Sequence, residues 1–172
     1  MTLKSKLSVH KMARCALFAA LLTVCAWLCI PLGSVTFTLQ SLGLLLCLGV
    51  MGGKWGCISI GLYLALGAVG LPVFSGFRGG AAALLGPTGG FLWGFGLGAL
   101  AYWAAEKLGR LPAMVLCQLV CYGCGLGWFL IYAPGTSLWG AALITIVPYL
   151  IPDICKLLLA HRLSIRFARY HV

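Results

Sequence analysis

An all-α, polytopic membrane protein is the fold class this sequence predicts: six transmembrane helices in a single compact bundle, with both termini on the cytoplasmic side. Three observations predict it. Hydrophobic residues make up 62% of the chain and charged residues 8%, with a mean hydropathy of +1.07, a composition that no soluble domain of this size tolerates. The apolar residues fall in runs that approach the roughly 20 residues a helix needs to cross a bilayer. The 12 Lys and Arg residues, set against 2 acidic ones, gather where those runs end, as topology determinants do. A length of 172 residues accommodates about six such spans and short connections, so residues 1–172 read as one integral membrane domain with basic segments at 1–11 and 161–172. The formal charge of +10 is distributed for contact with anionic membrane lipid rather than with nucleic acid.

The first span, about 12–30, follows Lys4, Lys6, Lys11 and Arg14 and has the outline of a secretory signal, with Leu22-Thr23-Val24-Cys25 faintly like a lipoprotein cleavage site. Val24 is too large just before such a cleavage and further apolar runs follow, so the segment reads as an uncleaved helix. Ala16 and Ala20 stand one turn apart on it, a small-residue pair that lets another helix or another subunit approach. Spans at 37–52 and 55–71 flank Lys54. The span at 83–105 carries Gly86, Gly90, Gly94 and Gly98 at intervals of four, a stripe suited to internal helix packing. A fifth runs over 112–133. The sixth, 138–170, is interrupted by Pro148 and Pro152. Its helix is expected to restart with Pro152 in the first turn, where a missing N–H is harmless, which would set Asp153 at a helix start. With the N-terminus inside, ten of the twelve basic residues (4, 6, 11, 14, 54, 107, 110, 162, 166 and 169) fall on the cytoplasmic side, as the positive-inside bias requires. Arg78 lies in an external connection and Lys156 stays embedded.

Two connections on the external side are chemically distinctive. The first, PLGSVTFTLQSLG at 31–43, has no charge but offers Thr36, Thr38, Gln40 and Ser41 as hydrogen-bonding groups. The third, at 70–90, is rich in Gly and Pro and contains Ser75, Arg78 and Thr88; irregular backbone at membrane depth survives only where protein or water satisfies it.

The candidate chemistry centres on Asp153 and Lys156, three residues apart and therefore on one helix face. An ionisable group near the centre of a membrane helix costs roughly 2.5–3.5 kcal/mol, so an embedded acid and base point to a site; the plainer alternative is a Lys156 that snorkels with Asp153 tethered to it. If Arg78 converges with this pair, the cations suit a small organic anion, and the carboxylate suits N–H donors or orients Lys156. Phe37, Phe74, Phe77, Tyr122 and Tyr149 are available to enclose an apolar body. The ligand so described is amphiphilic, with an anionic end, polar heteroatoms and a hydrophobic middle.

Other features read as structural. The nine cysteines are scattered through apolar runs, and the CxxC of Cys121 and Cys124 has no second pair, so packing rather than metal or disulfide chemistry is expected. His10, His161 and His171 sit in or beside basic segments. GPTGG at 86–90 lacks the Lys-Ser/Thr of a phosphate-binding loop. No nucleophile and base stand together, so neither an enzyme nor a cofactor is expected.

The segment GLPVFSGFRGGAAALLGPTGGFL at 70–92, FTLQ at 37–40 and the late P-Y-x-x-P-D-x-x-K at 148–156 together resemble the BioY family, the biotin-binding S components of energy-coupling factor (ECF) transporters. The resemblance spans essentially the whole chain. It implies a six-helix protein of the bacterial cytoplasmic membrane that captures biotin from outside and is energised by a T component and two ATPase subunits. It maps the D-x-x-K onto Asp153 and Lys156, the glycine-rich loop onto Ser75 to Gly80, and a lid onto Phe37 to Gln40. Docking on the T component falls to Ala16 and Ala20, and self-association is left open. Ser75 departs from the amide side chain that relatives can carry there. The alternatives are an S component for another vitamin, an ion- or proton-conducting subunit relaying through Asp153, and a membrane enzyme.

Overall fold

A computed structural model describes the backbone over residues 3–32 and 35–169 and the side chains over 9–30 and 36–167. The side chains of Lys4, Lys6 and Arg169, and the whole of His171, lie outside the described residues. The elements are α1 (Leu3–Trp27), β1 (Cys29–Leu32), β2 (Val35–Thr38), α2 (Gln40–Ala68), α3 (Ala81–Leu85), α4 (Gly89–Ala105), a 3-10 turn at Glu106–Leu108, α5 (Arg110–Tyr132), α6 (Leu138–Thr145) and α7 (Val147–Arg169). By length and apolarity, Val9–Trp27 of α1, α2 and α5 can each cross a membrane; α6 and α7, bent by 45° at their junction, form a fourth candidate span if taken together.

The described elements differ from the expected ones in physically explicable ways. The chain is mostly helical rather than all-α, because β1 and β2 form an antiparallel hairpin in which Cys29 pairs with Thr38 and Leu32 with Val35. Backbone at the bundle's end that cannot rely on water must pair with itself, and the alternating, β-branched Val35-Thr36-Phe37-Thr38 suits a strand. The expected spans at 37–52 and 55–71 join in α2, broken at Gly52 with φ 75° and ψ 170°. A methyl group added at Gly56 would lie 3.2 Å from the Leu48 Cα, whereas residues that far apart along one straight helix are separated by about 12 Å. The two arms therefore fold back on each other, and only glycine accepts the backbone that lets them do so.

The span expected at 83–105 is interrupted at Gly86-Pro87, leaving α4 with 17 residues, about 25 Å of helix against the roughly 30 Å of a hydrocarbon core. Gly90, Gly94 and Gly98 face α5: Cβ atoms there would lie 2.6 Å from Cys124 O, 3.0 Å from Cys121 Cα and 2.9 Å from Cys117 O. The stripe thus sets backbone against backbone, and Gly86 stands outside it, ending α3 and accepting from Trp128 Nε1 at 3.0 Å.

The last helix restarts earlier than expected. The break falls at Ile146, so Pro148 occupies the first turn of α7 and Pro152 lies inside the helix. Pro148 is the proline whose absent N–H costs nothing there, and Pro152 removes only the bond to Pro148 O in the following turn.

One end of the bundle gathers the Gly52 break, where Gly53 N donates to Glu106 Oε2 at 3.1 Å, and the approach of Gly49 to Ser164 and Met114. The hairpin and the 69–88 connection cover the opposite end. Leu39 N bonds Cys25 O at 3.2 Å, Trp27 Nε1 donates to Pro72 O at 2.9 Å, and Trp27 stacks on Phe77 at 4.9 Å, so both coverings are anchored to the end of α1. Phe77 is the only non-glycine with positive φ (56°) among the described residues. Leu22, Leu44, Leu45, Leu48, Ile60 and Met114 fill the core between α1, α2 and α5.

Candidate functional site

Beneath the two coverings lies a cavity of about 270 Å³, near the lower end of the roughly 300–1,000 Å³ typical of small-molecule sites. Asp153, Lys156, Arg78, Ser75, Gln40, Phe37, Phe74, Tyr122 and Tyr149 all line it. Ala16 and Ala20 lie elsewhere, exposed along the outer face of α1.

Asp153 and Lys156 are 8% and 7% exposed, so each charge needs partners inside the protein. The 3.6-residue period of α7 brings them to one face, where Lys156 Nζ meets Asp153 Oδ1 at 2.8 Å. The ammonium also donates to Thr38 O at 2.7 Å and to Ser41 Oγ at 3.2 Å, and stands 4.0 Å from the centre of the Phe37 ring. Its three N–H bonds are thereby engaged. Asp153 Oδ1 accepts in addition from Ser41 Oγ at 3.1 Å. Its Oδ2 accepts from Tyr122 OH at 2.7 Å and from Gln118 Nε2 at 3.2 Å. Two acceptor contacts per oxygen saturate the carboxylate. The pair is thus a neutral, fully bonded floor that also ties α7 to the last residue of β2.

Gln40 serves the opposite wall. Its Nε2 donates to Tyr63 OH at 2.5 Å, its Oε1 accepts from Thr38 Oγ1 at 3.3 Å, and Tyr63 OH donates onward to Val73 O at 3.1 Å. The amide expected at the ligand lines the cavity and also helps hold the 69–88 connection down. Phe74, 1% exposed, meets Tyr63 edge-on at 5.4 Å as the base of that connection. Phe37 and Tyr149 stack at 6.3 Å. Arg78 is exposed; its backbone pairs with Phe74, and its guanidinium has no hydrogen bond or ion pair among the described residues.

Several lining residues were not picked out from the sequence. Phe91 and Phe95 of α4 reach the cavity one turn apart, which an i, i+4 aromatic reading of that helix finds. Gln118 is the isolated amide of α5, one turn before Tyr122, and an amide in an apolar span is itself a signal. The nine cysteines are all unpaired, with Cys47, Cys117 and Cys121 buried as packing residues.

Helices long and apolar enough to cross a bilayer, enclosing a solute-sized cavity with a polar floor, define a multi-pass membrane protein with a binding site inside its bundle. The BioY family model matches residues 1–171, and the chain belongs to that family. It is 37% identical to the biotin transporter BioY of Thermotoga maritima over 172 residues, covering 95% of this chain and 99% of that one. With the biotin transporter BioY of Rhodobacter capsulatus it shares 35% identity over 90% of each chain. The crystal structure of the S-component for biotin from an ECF-type ABC transporter matches the fold with a TM-score of 0.86 and 27% identity, over 98% of this chain and 95% of that one.

Proposed function

We propose that this chain is the biotin-capturing S component of an ECF-type transporter, a substrate-binding subunit rather than an enzyme. The observation that carries the reading is family membership over residues 1–171, joined to a likeness, over nearly the whole chain, to an S-component for biotin. The cavity chemistry supports it. Biotin carries a carboxylate on an apolar valerate chain, a thiophane ring and a ureido head. Arg78, whose guanidinium is uncommitted, suits the carboxylate at the mouth. Phe37, Phe91 and Phe95 suit the chain and ring, and the neutral floor formed by Asp153, Lys156 and their hydrogen-bond partners suits an uncharged polar head.

Six membrane-crossing segments follow if α1, each arm of α2, α4, α5 and the bent α6–α7 pair are counted. A cytoplasmic position for both termini is supported by Lys54, Lys107 and Arg110, which lie at or beside the Gly52 break and the 3-10 turn that meets it, opposite the end that carries Arg78. Biotin is bound as cargo, with no cofactor required. A T component and two ATPase subunits supply the energy, and the exposed Ala16 and Ala20 face of α1 is the docking surface. The test is a titration of the purified protein with biotin and a panel of other vitamins, followed by the fluorescence of its six Trp residues. Saturable quenching or enhancement by biotin is expected. Silence toward biotin with a response to another vitamin overturns the assignment of substrate.

A further inference from the structure

The floor of the cavity contains one polar atom with nothing to do. Gln118 lines the cavity and is 8% exposed. Its Nε2 donates to Asp153 Oδ2 at 3.2 Å, and because a carboxylate accepts and does not donate, this contact fixes which end of the amide is nitrogen. The other end, Oε1, is buried and has no hydrogen-bond partner among the described residues. Elsewhere in the cavity lining no buried side-chain oxygen or nitrogen is left unpartnered among the described residues. Asp153, the acceptor that the sequence suggests for a ligand N–H, already takes Lys156, Ser41, Tyr122 and Gln118 and has no acceptor position left without expelling one of them.

We propose that Gln118 Oε1 accepts a hydrogen bond from one ureido N–H of biotin and is a specificity-determining residue for it. The inference rests on the biotin reading above. An unpaired buried carbonyl is costly to keep, and with Lys156, Ser41 and Tyr122 beside it committed to Asp153 and Thr38, an N–H brought by the ligand is suited to satisfy it. The terminal side-chain torsion of glutamine is soft, so a small swing of the whole amide brings the buried oxygen toward the ligand, with Nε2 shifting along Asp153 as it turns. The arrangement also discriminates: a head group that presents an acceptor in place of N–H meets a second acceptor and leaves the amide unsatisfied, which is the strong form of rejection.

The test is a double-mutant cycle between protein and ligand. Biotin, its N1′-methyl and its N3′-methyl derivatives are titrated against the parent protein and Gln118→Leu, with Gln118→Asn, too short to span the same distance, as the second variant if the first does not fold. Biotin affinity is expected to fall about tenfold in the variant. For the derivative methylated at the contacted nitrogen, affinity is already reduced in the parent and changes less than threefold in the variant. A variant that weakens biotin and both derivatives by the same factor assigns Gln118 to holding Asp153 alone and overturns the inference, as does a variant with parental biotin affinity. Failure of the parent protein to bind biotin at all overturns the substrate reading instead.

Discussion

Replacing Lys156 by Met keeps most of the side chain's volume and removes its charge. At 2.8 Å and an effective dielectric of about 20, the two charges attract by about 6 kcal/mol before the cost of desolvating them. The loss is not that figure, because the ammonium no longer has to be kept from water. The larger consequence is a carboxylate left buried with only Ser41, Tyr122 and Gln118 as neutral donors, and removing one partner of a buried pair costs about 3–5 kcal/mol. Thr38 O loses its donor at the same time, so β2 is released from α7 and the wall carrying Phe37 loosens. Biotin affinity is therefore expected to fall at least tenfold, about 1.4 kcal/mol or more, in Lys156→Met and likewise in Asp153→Asn. The double variant, which buries no charge, is expected to be more stable than the sum of the two single losses allows. Denaturation of all four proteins in detergent, followed by Trp fluorescence and paired with biotin titrations, measures both effects. Single variants with parental stability and affinity, or losses that simply add in the double variant, would refute the reasoning.

Four further outcomes are expected. Tyr122→Phe removes the 2.7 Å bond to Asp153 Oδ2 and keeps the ring; a hydrogen bond to a charged group is worth about 1.5–3 kcal/mol, so calorimetry should record a roughly tenfold rise in biotin Kd, and an unchanged Kd would deny Tyr122 any part in orienting the carboxylate. Arg78→Gln should weaken biotin by at least tenfold, about 1.4 kcal/mol, yet leave biotin amide nearly unaffected; equal losses for both ligands would remove the carboxylate from Arg78. Gly94→Leu forces a side chain into the Cys121 backbone and should lower stability by about 1–3 kcal/mol, which a thermal melt in detergent tests, since a parental melt would mean that α4 and α5 can separate freely. Ala16→Trp or Ala20→Trp should leave biotin binding intact while reducing co-purification with the T component and uptake into cells, and parental uptake would shift docking to another surface.

Much of this architecture was legible because a bilayer constrains sequence so strongly. Apolar runs and terminal charges marked α5 and the end of α1 to within a few residues, although α1 begins at Leu3, well ahead of the apolar run, and the three-residue spacing of Asp153 and Lys156 survived an error about where their helix begins. That error is instructive. Both prolines satisfied the same first-turn rule, and the break at Ile146 puts Pro148 rather than Pro152 in the turn. The hairpin was hidden because Val35-Thr36-Phe37-Thr38 is short and sits inside a hydropathy signal that sums over many more residues. Gln118 was passed over for a similar reason: one amide barely lowers the hydropathy of VLCQLVCY, although it changes the hydrogen-bond inventory of the cavity entirely. Gln40 shows the opposite limit. Its residue type advertises a ligand contact, and only the position of the Tyr63 hydroxyl reveals the structural bond that the amide also makes.

The distribution of charge follows from where charge is inexpensive to hold. Asp153 and Lys156 cancel one another at the buried floor, so the cavity lining keeps no net charge at depth, where an isolated ion would be penalised most. The uncompensated cation is Arg78, exposed at the covering connection, where solvent supports it until a carboxylate arrives. An anionic ligand entering head first therefore meets neutral hydrogen-bonding groups below and a single opposite charge above, and it never carries its own charge past the coverings. The reverse orientation would bring the carboxylate onto a floor whose ammonium has no free N–H bond and whose Asp153 repels it. On the proposed reading, a saturated ion pair would therefore do more than hold α7 to the hairpin: by leaving only neutral groups available at depth, it would favour one direction for a molecule with one charged end.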